Sequence, residues 1–179
     1  MKLLSFIFTP FISLLFCFSA FANIDDDHNY RLSTDDEISV TVFNEPDMSI
    51  EKIKVATNGS ISMPLLGQVN VKGLTVIEVE QKLSVLLLDG YLKKPNVTIS
   101  ISEYRPFYIN GEVKRPGSYP YRKDLTIEKA VALAGGFTER ASKSSIALLS
   151  EDSQRVLNAV LLSAAVKPGD VITVSESFF

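Results

Sequence analysis

The sequence predicts an α+β fold built as two small units, each a mixed sheet with one helix against it. Three observations carry this. Short runs of alternating apolar and polar residues recur along the chain, and helical periodicity interrupts them twice, each time just after a Leu-Thr pair, Leu74-Thr75 and Leu125-Thr126. Pro106 lies between the two rounds of this pattern and is the natural boundary.

The first unit starts from a polar lead-in, Asp25-Asp26-Asp27-His28, whose lone imidazole is a poor basis for a metal site. Ile38, Val40 and Val42 then alternate with Ser39, Thr41 and Phe43 as in a strand packed on one face, ended by Asn44 to Asp47 with Pro46. Ile53 and Val55 before Asn58-Gly59, and Ile61 and Met63 after it, predict a hairpin, because Asn-Gly accepts the positive φ of a tight turn. Pro64 closes that strand, and a short one from Gln68 to Val71 reaches Gly73. Thr75 and Glu78 form a capping-box pattern for a helix running to about Leu88 and stopped by Gly90, with Ile77, Leu83, Leu86 and Leu87 toward the core. Val97, Ile99 and Ile101, separated by Thr98, Ser100 and Ser102, give a half-exposed strand.

The second unit reads as strand Phe107 to Asn110, a turn through Lys114-Arg115-Pro116-Gly117, strand Ser118 to Tyr121, and a helix from Thr126 to Ala134 ended by Gly135-Gly136. Strands near Ile146 to Ser150 and Val171 to Val174 follow, joined by a segment whose Val156, Leu157, Val160 and Leu161 suggest a helical face. The Thr-capped helix starts rhyme between the units, which either duplication or convergent capping explains.

At 179 residues, 46% hydrophobic and 22% charged, the chain suits one or two compact domains rather than a disordered or multi-pass membrane protein. Eighteen Lys and Arg against 21 Asp and Glu, with no basic block, lack the footprint that phosphate backbones require, so nucleic acid is not an expected partner. One His and one Cys leave too few ligands for most metal sites, and no cofactor is expected.

Residues 1–22 have the form of an export signal: Lys2, the apolar run Leu3 to Phe18, then the small-x-small pattern Ala20-Phe21-Ala22. Asn23 is the expected mature start. A transmembrane anchor is the rival, but Pro10 interrupts the run, and its 16 positions fall short of the roughly 20 that span a bilayer. Lipidation at Cys17 would need small residues before it, where Leu15-Phe16 stand, so a non-lipidated product is expected. The mature chain then has no cysteine, and its stability rests on its cores rather than on disulfides.

Reaction chemistry is sparse. No Gly-x-Ser-x-Gly, His-Glu-x-x-His, phosphate-cradling loop or Cys nucleophile is present, so an enzyme would have to work with carboxylates. The pairs Asp35-Asp36, Glu78-Glu80 and Glu151-Asp152 fall at expected caps, exposed helix faces or turns, where solvated charge is the ordinary role. No catalytic residue is assigned, and the protein is read as non-enzymatic.

Several runs combine into a more specific pattern. Tyr30-Arg31-Leu32, Ile38 to Asp47 with Asn44-Glu45-Pro46-Asp47, Asn58-Gly59-Ser60-Ile61-Ser62-Met63-Pro64-Leu65-Leu66-Gly67, Gly73-Leu74-Thr75 and Tyr91-Leu92-Lys93-Lys94-Pro95 occur in order. Together they resemble the polysaccharide export domain of bacterial outer-membrane exporters. The second unit resembles the soluble-ligand-binding β-grasp (SLBB) domain that follows it in that family, through Asn110-Gly111-Glu112-Val113-Lys114-Arg115-Pro116-Gly117-Ser118-Tyr119-Pro120, Leu133-Ala134-Gly135-Gly136-Phe137 and Lys167-Pro168-Gly169-Asp170-Val171-Ile172-Thr173-Val174.

The resemblance implies a signal peptide over 1–22, an export domain over 23–105 and an SLBB domain over 106–179. Asn58, Gly59, Gly111, Pro116, Gly117, Gly135, Gly136, Pro168, Gly169 and Asp170 are read as structural motif residues, since each suits a turn or a helix stop. Where the family opens with a Gly-Pro-Gly-Asp turn, this chain has Ser33-Thr34-Asp35-Asp36, so a looser turn is expected. Longer members carry further β-grasp units, a C-terminal amphipathic helix and a lipidated N-terminus. This sequence stops at Phe179 after its last strand and resembles the short members.

By that resemblance the protein is an exported periplasmic component associated with the outer membrane, a homo-oligomeric ring around an exopolysaccharide or capsular chain. A separate outer-membrane pore and an inner-membrane polysaccharide co-polymerase are its expected partners. Hydroxyl-rich strand faces such as Thr98, Ser100 and Ser102 suit either a sliding polymer or bulk solvent. One rival is a carbohydrate-binding module that does not conduct polymer. Tyr104, Phe107, Tyr108, Tyr119 and Tyr121 cluster near the junction, where the area they bury favours inter-unit core over a sugar platform. A small outer-membrane barrel, prompted by Phe178-Phe179, ranks last because the strands are short.

Overall fold

The computed structural model describes residues 29–177; the expected leader with Cys17, the acidic run Asp25 to His28 and the terminal Phe178-Phe179 lie outside the described residues. The first sheet has the order β2-β1-β5, from β1 (Glu37–Val42), β2 (Ile50–Lys54) and β5 (Val97–Glu103), all antiparallel. Its alternation does what the sequence demands. Ile38, Val40 and Val42 point into one core beside Val97 and Ile99, and α1 (Val76–Leu88) covers them with Val79, Leu83 and Leu87. Ser39 pairs with Ser100 and Thr41 with Thr98, which lines hydroxyls along the other face.

The helix starts at a complete capping box: Thr75 Oγ1 accepts from the Glu78 N–H at 3.3 Å, and Glu78 Oε2 accepts from the Thr75 N–H at 2.8 Å. Its buried stripe runs at four-residue spacing and differs from the one expected: Ile77 is 42% and Leu86 36% exposed, and Val79 takes the inward place. Ile77 stands two residues, about 200°, from Val79 and so faces outward.

The expected hairpin at Asn58-Gly59 is made only as a turn: the Gly59 N–H donates to the Ala56 carbonyl at 2.8 Å and the Ala56 N–H to the Ser60 carbonyl at 2.9 Å, and the strands on either side then part. The β2 strand pairs with β1, whereas β3 (Ser60–Met63) pairs with β4 (Gly67–Asn70) around Pro64, Leu65 and Leu66. A chain corner occupies Asn58-Gly59: Gly59, at φ 78, gives its carbonyl to the N–H groups of Val71 and Lys72 at 2.9 and 3.0 Å. Asn58 keeps a negative φ, so the mirror-image turn that splices two strands directly is not made.

The second sheet has the order β7-β6-β10-β8-β9, from β6 (Phe107–Gly111), β7 (Gly117–Tyr119), β8 (Ala141–Ser150), β9 (Arg155–Leu157) and β10 (Val171–Glu176). Only β6 and β10 run parallel. With α2 (Ile127–Leu133) they enclose a separate core of Phe107, Ile109, Ile127, Ile146, Ile172 and Val174. The segment expected to be helical is instead the edge strand β9, paired with β8 through Leu148–Leu157 and Leu149–Val156. Val156 and Leu157 are 57% and 50% exposed, because period two sends the two to opposite faces of an edge strand, and Leu161, 74% exposed, lies beyond the strand.

Candidate functional site at the junction of the two units

Two turns of the same build meet where the units join. In the first, the Asp36 carboxylate accepts from the Ser33 N–H at 2.7 Å, and the Asp36 N–H donates to the Ser33 carbonyl at 3.3 Å. In the second, the Asp170 carboxylate accepts from the Lys167 N–H at 2.8 Å, and the Asp170 N–H donates to the Lys167 carbonyl at 3.2 Å. Asp35 at φ 71 holds the place of Gly169 at φ 85. Leu32 and Val166, both buried, each donate an N–H at 2.9 Å to the residue before a helix cap, Leu74 and Leu125 respectively. The Ser33–Asp36 turn is therefore closed, not loose as expected: Asp tolerates the left-handed conformation that glycine takes in the other turn.

Arg105 sits between them with a side chain only 7% exposed. Its backbone N–H donates to Asp36 Oδ1 at 2.8 Å, and its guanidinium lies 3.4 Å from Asp36 Oδ2. Toward the second unit, Nε donates to Glu151 Oε2 at 2.7 Å and Nη2 lies 3.6 Å from Asp152. The Tyr30 hydroxyl completes the cluster, donating to Asp36 at 2.7 Å and accepting from Arg105 Nη1 at 2.6 Å. Buried charge persists only when paired and hydrogen-bonded on several sides, and this group meets that condition.

The electrostatics follow from burial. Desolvation pushes the Tyr30 hydroxyl well above the usual tyrosine range, and the Asp36 carboxylate adds to the shift. Burial works against the Arg105 charge, but Tyr30, Glu151 and Asp36 outweigh it, so the guanidinium is held more firmly protonated than usual. Asp170 has no buried guanidinium on it: burial raises its pKa, and the Lys167 and Glu151 N–H groups, with the Lys167 charge, only partly offset that.

Beside this cluster opens a cavity of about 420 Å³ walled by Tyr30, Arg31, Tyr104, Tyr121, Lys123 and Lys167. Tyr104 stands edge-on to both Tyr30 and Tyr121, with ring centres 4.9 and 5.4 Å apart, and the Arg105 guanidinium lies 5.6 Å from the Tyr30 ring centre. The aromatic group expected to form one inter-unit core is divided. Tyr104 and Tyr121 are at the junction, Phe107 and Tyr119 stack within the second unit, and Tyr108 is 44% exposed.

The expected carboxylate pairs also separate. Asp36 is fully buried rather than solvated, and Glu151 and Asp152 serve Arg105. Glu78 caps α1, and Glu80 accepts from the Ile99 N–H at 2.8 Å, tying helix to sheet. Of the motif residues, Pro168, Gly169 and Asp170 lie at the junction, where the Gly169 N–H donates to the Pro106 carbonyl at 3.0 Å. The others lie elsewhere. Gly111 sits where a Cβ would strike the Val174 carbonyl, and Gly135-Gly136 end α2, with Gly136 accepting from the Lys114 N–H at 3.0 Å beside the Pro116-Gly117 turn. Sequence reasoning missed Arg105 and Tyr30 as partners. The available signal was that Asp36 and Asp170 each precede an alternating strand at equivalent positions.

Residues 25–102 match the family described as polysaccharide biosynthesis/export protein, and residues 106–156 match the SLBB domain. The chain is 32% identical over 136 residues to the exopolysaccharide production protein ExoF of Rhizobium meliloti, covering 68% of this chain and 32% of that one. It is 27% identical over 170 aligned positions to the EPS I polysaccharide export outer membrane protein EpsA of Ralstonia nicotianae, covering 80% of this chain and 44% of the relative. This chain thus spans less than half the length of these relatives.

Proposed function

Since the chain belongs to the polysaccharide biosynthesis/export family and carries an SLBB domain behind its export domain, we propose that it is a non-enzymatic exopolysaccharide export component, forming an oligomeric ring through which the polymer passes. The succession of the two domains carries this reading. The domain division is drawn between Arg105 and Pro106, supported by the two separate cores on either side. Residues 1–22 are the export signal without lipidation, and the mature protein works in the periplasm against the outer membrane, a reading supported by its similarity to EpsA, an outer membrane polysaccharide export protein.

A hydrated polymer must slide, so its guide should offer many weak, exchangeable hydrogen bonds instead of a few strong ones. The outer face of β1 and β5 has that chemistry, with Thr41, Thr98, Ser100 and Ser102 exposed. A ring sets such faces around a lumen, with a separate outer-membrane pore above it and an inner-membrane polysaccharide co-polymerase below. Rigidity between the units, which the Arg105 cluster supports, keeps the ring's subunits in register.

Deletion in the native host tests the export role: surface polysaccharide should fall while the biosynthetic enzymes stay active, and unchanged surface polymer would count against it. Light scattering on protein extracted in mild detergent tests the ring. A discrete multimer is expected, and a monomer at every concentration and with every co-purified partner would leave a binding module that does not conduct polymer.

A further inference from the structure

The β3–β4 hairpin differs from the rest of the surface in charge and in backbone. From Val55 to Val71 the chain carries no charged side chain over 17 residues, where its overall 22% would place about four. Ser62, Gln68 and Asn70 face solvent along the two arms, without the Lys or Glu that guards an exposed strand. Depletion of charge from an exposed surface is the compositional mark of a protein interface.

The tip adds strain. The Leu66 N–H donates to the Pro64 carbonyl at 2.7 Å across Leu65, whose φ of 63 makes this the rare, strained form of the three-residue turn. Glycine or asparagine would take that conformation more easily, yet the residue is a leucine, 59% exposed. Ile61, Met63 and Val69 turn into the core, so Leu65 is the large apolar side chain that the hairpin holds out into water.

A complementary surface lies on the same unit. The outward side of α1 carries a shallow groove whose apolar lining is Leu74, Val85 and Leu86, with Val85 66% exposed. The charged neighbours are committed along its rim: Glu78 to Arg31 and the Thr75 N–H, and Lys82 to the Asn70 carbonyl at 2.9 Å. Asn70 ends β4, whereas the tip precedes its start, roughly 15 Å away along the strand. A chain therefore does not fill its own groove, but a second copy can. Tip and groove are different surfaces, so joining them makes a head-to-tail contact, the kind that builds a ring when its rotation closes.

We propose that the Pro64-Leu65-Leu66 tip of one protomer seats in the α1 groove of the next, with Leu65 against Val85 and Leu86. The inference rests on the ring reading and names the surfaces that build the ring.

The test is light scattering on the full chain, extracted from its host envelope in mild detergent, beside the single variants Leu65→Gly and Val85→Asp. Leu65→Gly suits the φ of the turn and should leave thermal unfolding unchanged or slightly raised, while weakening assembly about thirtyfold. Val85→Asp places a charge at an exposed helix position, so circular dichroism should stay unchanged while assembly weakens by a similar factor. One variant keeps its groove and the other its tip. Mixed, they should form dimers that neither forms alone at the same concentration, and nothing larger, because neither end of such a pair can add a further chain.

A mixture no heavier than its components, or a multimer that survives both substitutions, would overturn the proposal while the ring reading stands. Assembly lost only together with thermal stability would make Leu65 a folding residue and overturn it too. A surviving multimer with export lost in the host would assign the tip to a different protein, again against the proposal. A parent chain that stays monomeric with every co-purified partner would remove the ring reading and this contact with it.

Discussion

The turn at Asp36 and the turn at Asp170 share a backbone plan but solve the problem of a buried carboxylate differently. Each aspartate accepts from the N–H three residues before it, and each leads into a strand whose alternate residues are buried. Asp36 then takes the Tyr30 hydroxyl and the Arg105 backbone and guanidinium. Asp170 takes only the Glu151 N–H, at 3.2 Å. One turn therefore acts as a connector between the units, while the other closes its own. The second still serves the connection indirectly, because it holds Glu151 by the backbone while Glu151 holds Arg105 by the side chain.

The largest test of this contrast removes the cation. Arg105→Met leaves the Asp36 carboxylate buried beside an apolar side chain, and breaking a buried pair from one side costs about 3–5 kcal/mol. Urea unfolding should show that loss, and adding Asp36→Asn should recover part of it because the orphaned charge disappears. Asp170→Asn strands no buried cation, since the nearby Lys167 is solvated, and should cost only about 1–2 kcal/mol, the price of an N–H acceptor. If Arg105→Met were no worse than Asp170→Asn, the two turns would be equivalent and the connector role would fall.

Exchanging the left-handed residues sharpens the comparison at smaller amplitude. A Cβ at Gly169 would run into the Glu151 carboxylate and stand 2.7 Å from Arg105 Nε, so Gly169→Ala should push Glu151 off the guanidinium and cost about 2–3 kcal/mol. At the matching place Asp35 already carries a side chain at φ 71, and Asp35→Gly should change stability by no more than about 1 kcal/mol. Thermal unfolding of the two variants side by side would read the difference. Equal losses would mean that the close approach at Gly169 is relieved by the flexible Glu151 arm.

Much of the fold was legible because it rests on local chemistry. The Thr75 box, the alternation in β1 and β5 and the glycine stops after both helices depend on residues a few positions apart. What was not legible depends on partners far along the chain. Asn58-Gly59 carries a hairpin signature, yet Val71 and Lys72 take the Gly59 carbonyl and make it a corner. Val156 and Leu157 fit a helical or a strand period equally over so short a run, and pairing with β8 decides. Asp36 read as solvated because nothing in its own neighbourhood shows that Arg105, 69 positions on, will cover it.

The smallest effect is confined to alkaline pH and isolates Tyr30. Burial and the Asp36 carboxylate raise its folded pKa above the unfolded value of about 10, so the stability tied to its protonated form is fully present below pH 10. It is lost as pH rises above that value, because the unfolded chain releases the proton first. Tyr30→Phe removes the hydroxyl that bridges Asp36 and Arg105 and should cost about 1 kcal/mol at pH 7. The gap between parent and variant should stay constant from pH 7 to 9.5 and then narrow, since only the parent carries this titrating group. Urea midpoints measured in parallel to pH 11 would follow it, with Arg105, Asp36 and Tyr104 as the groups facing the hydroxyl in both chains except for the change itself. A gap that stays constant through pH 11 would mean that Tyr30 ionises alike in both states and that its hydroxyl is not locked between the two charges.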